Sequence, residues 1–386
     1  MMQIVSFGVA ALYSGMWCLR WARAGCWEGA WRQLGLFSGM VCVGSVVGAV
    51  AWALFVQRHV FLYEAHISVG AIYYTLYASS FRFAAVFKFL IGVEFFCLII
   101  CKLMLLGRLV TSATQSSQAD VTDMSGVRRR WLSAWALPNV YRVMAAAVVV
   151  GSVVGMVASG VAGAYNAQTA GLYDQAAVAC DAAGNNTNSS LTLINDDINS
   201  IRTKAGTAVS VQSSSEALTL LLVSIVFFVI VSWSVALFRL MERVAARALL
   251  SVNSRGSMPA PEANSAKIVA DTMQFAADQR QRLTVACVIV LITFPARAAF
   301  DLLHAYAIFN DPFNPACGQC DPCQSTPILI NTWLHYTPEF RSIAVAASSP
   351  LPLTLSLWLL TKAHTRARLI AADVERACVG DKVDGV

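Results

Sequence analysis

Residues 84–107 read AAVFKFLIGVEFFCLIICKLMLLG, twenty-four positions in which only Lys88, Glu94 and Lys102 carry charge. A helix rises 1.5 Å per residue, so such a block crosses a hydrocarbon core roughly 30 Å thick. Comparable blocks cover about 3–20, 34–56, 142–165, 217–240, 284–308 and 343–361. Over the whole chain 57% of the residues are apolar and 13% charged, against about 45 to 50% and about 25% in soluble domains. A soluble fold could not cover that apolar surface. The expected fold is therefore all-α: a polytopic membrane helix bundle with seven transmembrane helices over 1–362 and a cytosolic tail, 363–386. The expected partner is the lipid bilayer, in the plasma membrane or another membrane of the secretory pathway.

Orientation follows from the basic residues. No basic residue precedes the first block, while Arg20, Arg23 and Arg32 follow it, which predicts an uncleaved segment inserted with its N-terminus outside. Counted in alternate loops, twenty Lys and Arg fall on one side and five on the other (Arg58, Arg82, Arg202, Lys204 and Arg341). The richer side is the cytosolic one by the positive-inside rule. The net charge of +6 arises from these short runs beside apolar blocks, so nucleic-acid binding is not expected. The uncharged stretch 67–81 is read as an interfacial helix leading into the third span, anchored by Tyr73, Tyr74, Tyr77, Phe81 and Phe83, and 327–340 is read the same way before the seventh.

The external loop 166–216 holds two glycosylation sequons, at Asn185 and Asn188. After them Leu191, Ile194, Ile198, Ile201, Ala205 and Ala208 step by three and four, the period of an amphipathic helix. Its expected partner is the helix leaving span four through Tyr165, Leu172 and Ala176, giving an external helical hairpin. On the cytosolic side 253–266 is a flexible centre flanked by helical extensions at 241–250 and 267–283. The tail alternates basic and apolar residues from Lys362 to Cys378, a helix suited to the inner leaflet, where Cys378 is a candidate for lipidation.

Of eleven cysteines, Cys180 and three in the cysteine-rich external loop 309–342, Cys317, Cys320 and Cys323, are expected outside. Four thiols in an oxidising compartment predict two disulfides, with three connectivities open; a four-thiolate zinc site is the alternative. No histidine pair has the i, i+4 spacing of a helical zinc site, and phosphate-loop and nucleophile-elbow motifs are absent. No catalytic residue, metal or cofactor is expected, and the chain is not expected to be an enzyme.

The plan resembles that of the G-protein-coupled receptors: seven spans, an outside N-terminus, a long loop between spans five and six and an amphipathic tail helix. Arg108 ends span three where that family has the Arg of its Asp-Arg-Tyr motif, Phe294-Pro295 lies within span six, and Pro350 and Pro352 interrupt span seven. Gly107 replaces the acidic residue, and no Cys marks the outer end of span three. The usual bridge is thus replaced by one from Cys180 to one of Cys317, Cys320 and Cys323. The resemblance implies transmembrane signalling from an unknown external ligand to a cytosolic signalling protein at the inner ends of spans five and six, with Arg108, Arg128, Arg129 and Arg130 on the coupling face. A transporter or channel is the alternative, and a structural or scaffold role the third. The buried charges expected to matter in each case are Glu94 with Arg297, and Lys88 with Asp301 beside His304, read as a polar cluster that forms a ligand or ion site or locks spans three and six together.

Overall fold

The computed structural model describes residues 2–23, 30–119, 127–183, 188–253 and 260–309, with Ile330 and Leu355. Among these, all regular structure is helical, in six helices: α1 (Met2–Arg23), α2 (Ala30–Ile67), α3 (Ala71–Ala119), α4 (Val127–Ala183), α5 (Asn188–Asn253) and α6 (Ala260–Phe309). The last five run 38, 49, 57, 66 and 50 residues, well beyond the roughly 20 that cross hydrocarbon. Each contains a stretch long and apolar enough to do so: Gly35–Ile67, Ala71–Gly107, Pro138–Ala182, Thr192–Ala236 and Arg280–Phe309. These contain the expected spans three, four and six, all of two but residue 34, and 217–236 of five; the expected first span forms α1, of 22 residues. The expected seventh span, the cysteine-rich loop and the tail helix lie outside the described residues except for Phe309, Ile330 and Leu355.

Burial is distributed as lipid demands. Leu12, Met16, Val150, Val157, Leu218, Ile225 and Ile292 are exposed, whereas Ser14, Ser38, Ser152, Ser159, Thr169 and Thr219 are buried. In water this arrangement would waste the hydrophobic effect. In a bilayer the outer face loses nothing, and small polar residues permit close, hydrogen-bonded helix contacts. Ser38 Oγ donates to Ser14 O at 2.6 Å across α1 and α2, Ser215 Oγ to Gly151 O at 2.6 Å across α5 and α4, and Ser159 Oγ to the Lys88 carbonyl across α4 and α3.

The described chain divides into two compact units. The first comprises Met1–Leu103, Ala145–Val223 and Thr293–Leu351. Within it successive helices are antiparallel. Phe7 meets Gly48 and Gly15 meets Cys42; Trp52 packs on Phe87 and Phe61 on Phe83; Gly92 meets Ser159 and Gly163 meets the Ala85 carbonyl. Ser210 Oγ donates to Ala305 O at 3.1 Å, joining α5 to α6. The α6 segment returns to α3, with the Arg297 guanidinium 5.6 Å from the Phe95 ring centre. Segments of α3, α4, α5 and α6 therefore close a four-helix ring, with α2 packed against α3 and α1 against α2. The alternation puts Met2, the α2–α3 turn, the α4–α5 connection and Phe309 at one end of this unit. In the second unit, Met104–Met144, Ser224–Ile292 and Pro352–Val386, Arg280 Nη1 lies 2.7 Å from Glu242 Oε2, linking α6 to α5, and Tyr141 of α4 fills the notch at Gly107 of α3.

Two expectations about the first unit meet a definite outcome. The helix expected in 67–81 begins at Ala71 and is continuous with the third span. The chain turns at Ser68, Val69 and Gly70, the last at φ +67°, where glycine carries no Cβ penalty, and a single helix runs on from Ala71. Nothing between Phe81 and Ala84 breaks a helix, and the aromatic side chains have a protein partner: Phe81 stacks on Tyr173 at 5.4 Å and Tyr77 lies 5.3 Å from it. The helical hairpin expected within 166–216 is present, as the continuation of α4 and the start of α5 rather than a separate element. Ile198 is buried with Ala170 and Tyr173, and Leu172 and Ile194 pack against them; Ala205 and Ala208 of the same stripe are also buried. The helical extensions expected at 241–250 and 267–283 belong to α5 and α6.

Candidate functional site

Five ionisable side chains converge inside the four-helix ring: Glu94 and Lys102 from α3, Glu216 from α5, and Arg297 and Asp301 from α6. All but Asp301 are buried, with Glu94 at 0% and Lys102 and Arg297 at 3% exposure. The spacing explains the convergence. Arg297 and Asp301 are i, i+4 on α6 and share a face, as do Gln212 and Glu216 on α5. Glu94 and Lys102 are eight residues apart on α3, about 12 Å along its axis.

Arg297 is the hub. Its Nη2 lies 3.7 Å from Glu216 Oε2 and its Nε 3.6 Å from Asp301 Oδ2, while the guanidinium plane meets the Phe95 ring. The Lys102 ammonium sits 4.3 Å from the centre of the Phe294 ring, a cation–π contact that offsets part of its lost hydration. On the other flank Gln212 Nε2 donates to Glu216 Oε1 at 2.9 Å, and Ser213 Oγ lies 3.2 Å from His304 Nδ1.

Satisfaction within the cluster is incomplete. Both Glu94 carboxylate oxygens, Lys102 Nζ and Gln212 Oε1 are buried without a hydrogen-bond partner. A charge so placed near the middle of a bilayer costs at least about 2.5 to 3.5 kcal/mol.

Of the residues singled out in the sequence, Glu94, Arg297, Asp301 and His304 fall in or beside one cluster. Among the described residues, Glu216 and Asp301 lie within ion-pair distance of Arg297. Lys88 lies on α3, half-buried, and its carbonyl receives the Ser159 hydroxyl. Sequence reasoning missed Glu216 and Gln212 by assigning them to an external loop that ends where span five begins; their i, i+4 spacing ahead of an apolar block was the available signal. Lys102 was recognised as intramembrane but left unassigned.

Cys180, near the end of α4, forms no disulfide with another described cysteine. Cys317, Cys320, Cys323, Cys378 and Asn185 lie outside the described residues. Arg108, Arg128, Arg129, Arg130 and Asn188 are helical, and their side chains lie outside the described set. Among the described residues no group of three or more His, Cys, Asp or Glu is arranged to hold a metal. Compared with known proteins, the chain matches no family model, no curated protein and no solved structure.

Proposed function

We propose that this chain is a multi-pass membrane protein in which the charged cluster of α3, α5 and α6 is an ion-handling site, so that the protein belongs to the transporter and channel class. The carrying observation is Glu94, fully buried with both carboxylate oxygens unpartnered. A residue that only locked two helices would have its oxygens hydrogen-bonded, because an unsatisfied buried acceptor costs about 1 to 3 kcal/mol and more when charged. In this reading seven spans are completed by 343–361, with the N-terminus, 166–216 and the chain after Phe309 external; Asn185 and Asn188 are then glycosylated and Cys180 bonds to the external cysteine loop. The test is reconstitution of the full-length protein into liposomes with flux of protons, Na⁺, K⁺ and Cl⁻ followed in turn. Flux of one of these above protein-free vesicles, reduced in Glu94→Gln, supports the reading; no flux of any of them overturns it.

A receptor-like function is the second reading, favoured by the Arg280–Glu242 pair at 2.7 Å. The pair joins α5 and α6 in the stretch expected to face the cytosol, and a breakable interhelical lock is what a two-state signalling element requires. In that reading an external ligand releases the pair and a cytosolic partner binds the opened ends. Glu242→Gln should then raise basal signalling in a cell reporter; a basal level equal to that of the unmodified protein would remove this support.

A further inference from the structure

We propose that the species handled by the cluster is the proton, and that Glu94 is the group that takes it up and gives it back. The assignment rests on the transport reading and narrows it to one substrate. Three classes of small charged species compete for the site. An inorganic anion would face three carboxylates, Glu94, Glu216 and Asp301. Na⁺ or K⁺ would need a shell of oxygen ligands, and the space is shared with Arg297, 3.6 and 3.7 Å from the acids on either side of it, and with the Lys102 ammonium. A metal ion there meets two fixed positive charges.

A proton requires one acceptor, and Glu94 offers two free oxygens in full burial. Both of its protonation states are supported. With His304 neutral, three carboxylates against two basic groups leave one negative charge, and protonation of Glu94 brings the cluster to formal neutrality, the preferred state in a low dielectric. Ionised Glu94 belongs to a cluster that also carries the positive charges of Arg297 and Lys102. The groups facing it are thus Lys102 on its own helix, Glu216 on α5, and Arg297 and Asp301 on α6. Uptake forms an O–H bond at a Glu94 oxygen as a water or hydronium O–H breaks, and release reverses it; no electrons are transferred.

The arrangement also supplies a direction. From Glu94 toward the end that carries Gly70 and Phe309, α6 presents Asp301 and, three residues on, His304, whose Nδ1 is 3.2 Å from Ser213 Oγ. Each of these exchanges protons. Toward the other end stands Lys102, two helical turns from Glu94.

The test uses full-length protein in liposomes with a trapped pH indicator and an imposed potential, beside infrared difference spectra of the same protein in nanodiscs across a pH titration. Expected results are a proton flux lost in Glu94→Gln and partly kept in Glu94→Asp, and a protonated-carboxyl band that titrates and disappears in Glu94→Gln. The infrared band is read on folded protein whether or not turnover occurs. Flux of Na⁺, K⁺ or Cl⁻ without proton flux overturns the proton assignment and leaves the transport reading standing, whereas absence of all four removes both. A band that does not titrate, or that survives in Glu94→Gln, overturns the role of Glu94.

Discussion

At the scale of single residues, the cluster makes an asymmetric prediction about its two best-buried charges. Arg297 is paired with Glu216 and Asp301, so Arg297→Gln strands two acids. A loss of about 3 to 5 kcal/mol is expected, the range for breaking a buried pair from one side. Glu94 makes no hydrogen bond, so Glu94→Gln removes a desolvated charge without leaving Arg297 unpaired and should change stability by less than about 1 kcal/mol, a typical single hydrogen-bond increment. Thermal unfolding in one detergent, with the double variant Arg297→Gln/Asp301→Asn to close a cycle, measures both. Additivity of the Arg297 and Asp301 substitutions would contradict the pairing, since groups in one network couple by about 0.5 to 3 kcal/mol. The Arg82–Asp174 pair between α3 and α4 is more than a third exposed at both ends. Arg82→Ala is expected to cost no more than about 1 kcal/mol, and a larger loss by the same measurement would mean that Arg82 has a packing role.

At the scale of helices, close approach rather than apolar area controls the α3–α4 contact, since lipid offers no hydrophobic gain for pairing them. A Cβ on Gly163 would stand 2.9 Å from the Ala85 carbonyl oxygen, a backbone atom that moves only if α3 moves, whereas one on Gly160 would meet nothing within 4 Å. Gly163→Ala should therefore destabilise by about 1 to 3 kcal/mol, the usual range for overpacking. Gly160→Ala should gain up to about 1 kcal/mol from helix propensity. Equal effects in the same unfolding assay would mean that α3 and α4 are not in register as described. Neither glycine differs from the other in the sequence; the difference lies in which helix face meets a neighbour.

At the scale of the molecule, antiparallel packing puts Met2 and the α4–α5 connection at one end of the first unit. A tag fused before Met1 and one inserted at residue 186 should accordingly be reached from the same side of the membrane. Impermeant labelling of intact and permeabilised cells gives the answer, and opposite accessibility for the two would break the topology. That this side is external is the separate expectation drawn from twenty basic residues against five.

The sequence by itself determined the helical class and the positions of most of the long apolar helices, because a 30 Å apolar slab and 1.5 Å per residue leave little freedom to a block such as 84–107. It also marked Glu94, Arg297 and Asp301, since charge inside such a block is costly enough to stand out. Their grouping was decided by tertiary packing. Whether Arg297 meets Glu94 or Glu216 depends on the rotation of α3 and α5 about their own axes, and that is set by side-chain contacts such as Gly92 on Ser159 and Gly151 on Thr219, which join residues more than sixty positions apart. The stretch 67–81 shows the same limit: its aromatic residues stand out in the sequence, but that Tyr77 and Phe81 pack on Tyr173 of α4 was decided by the tertiary structure.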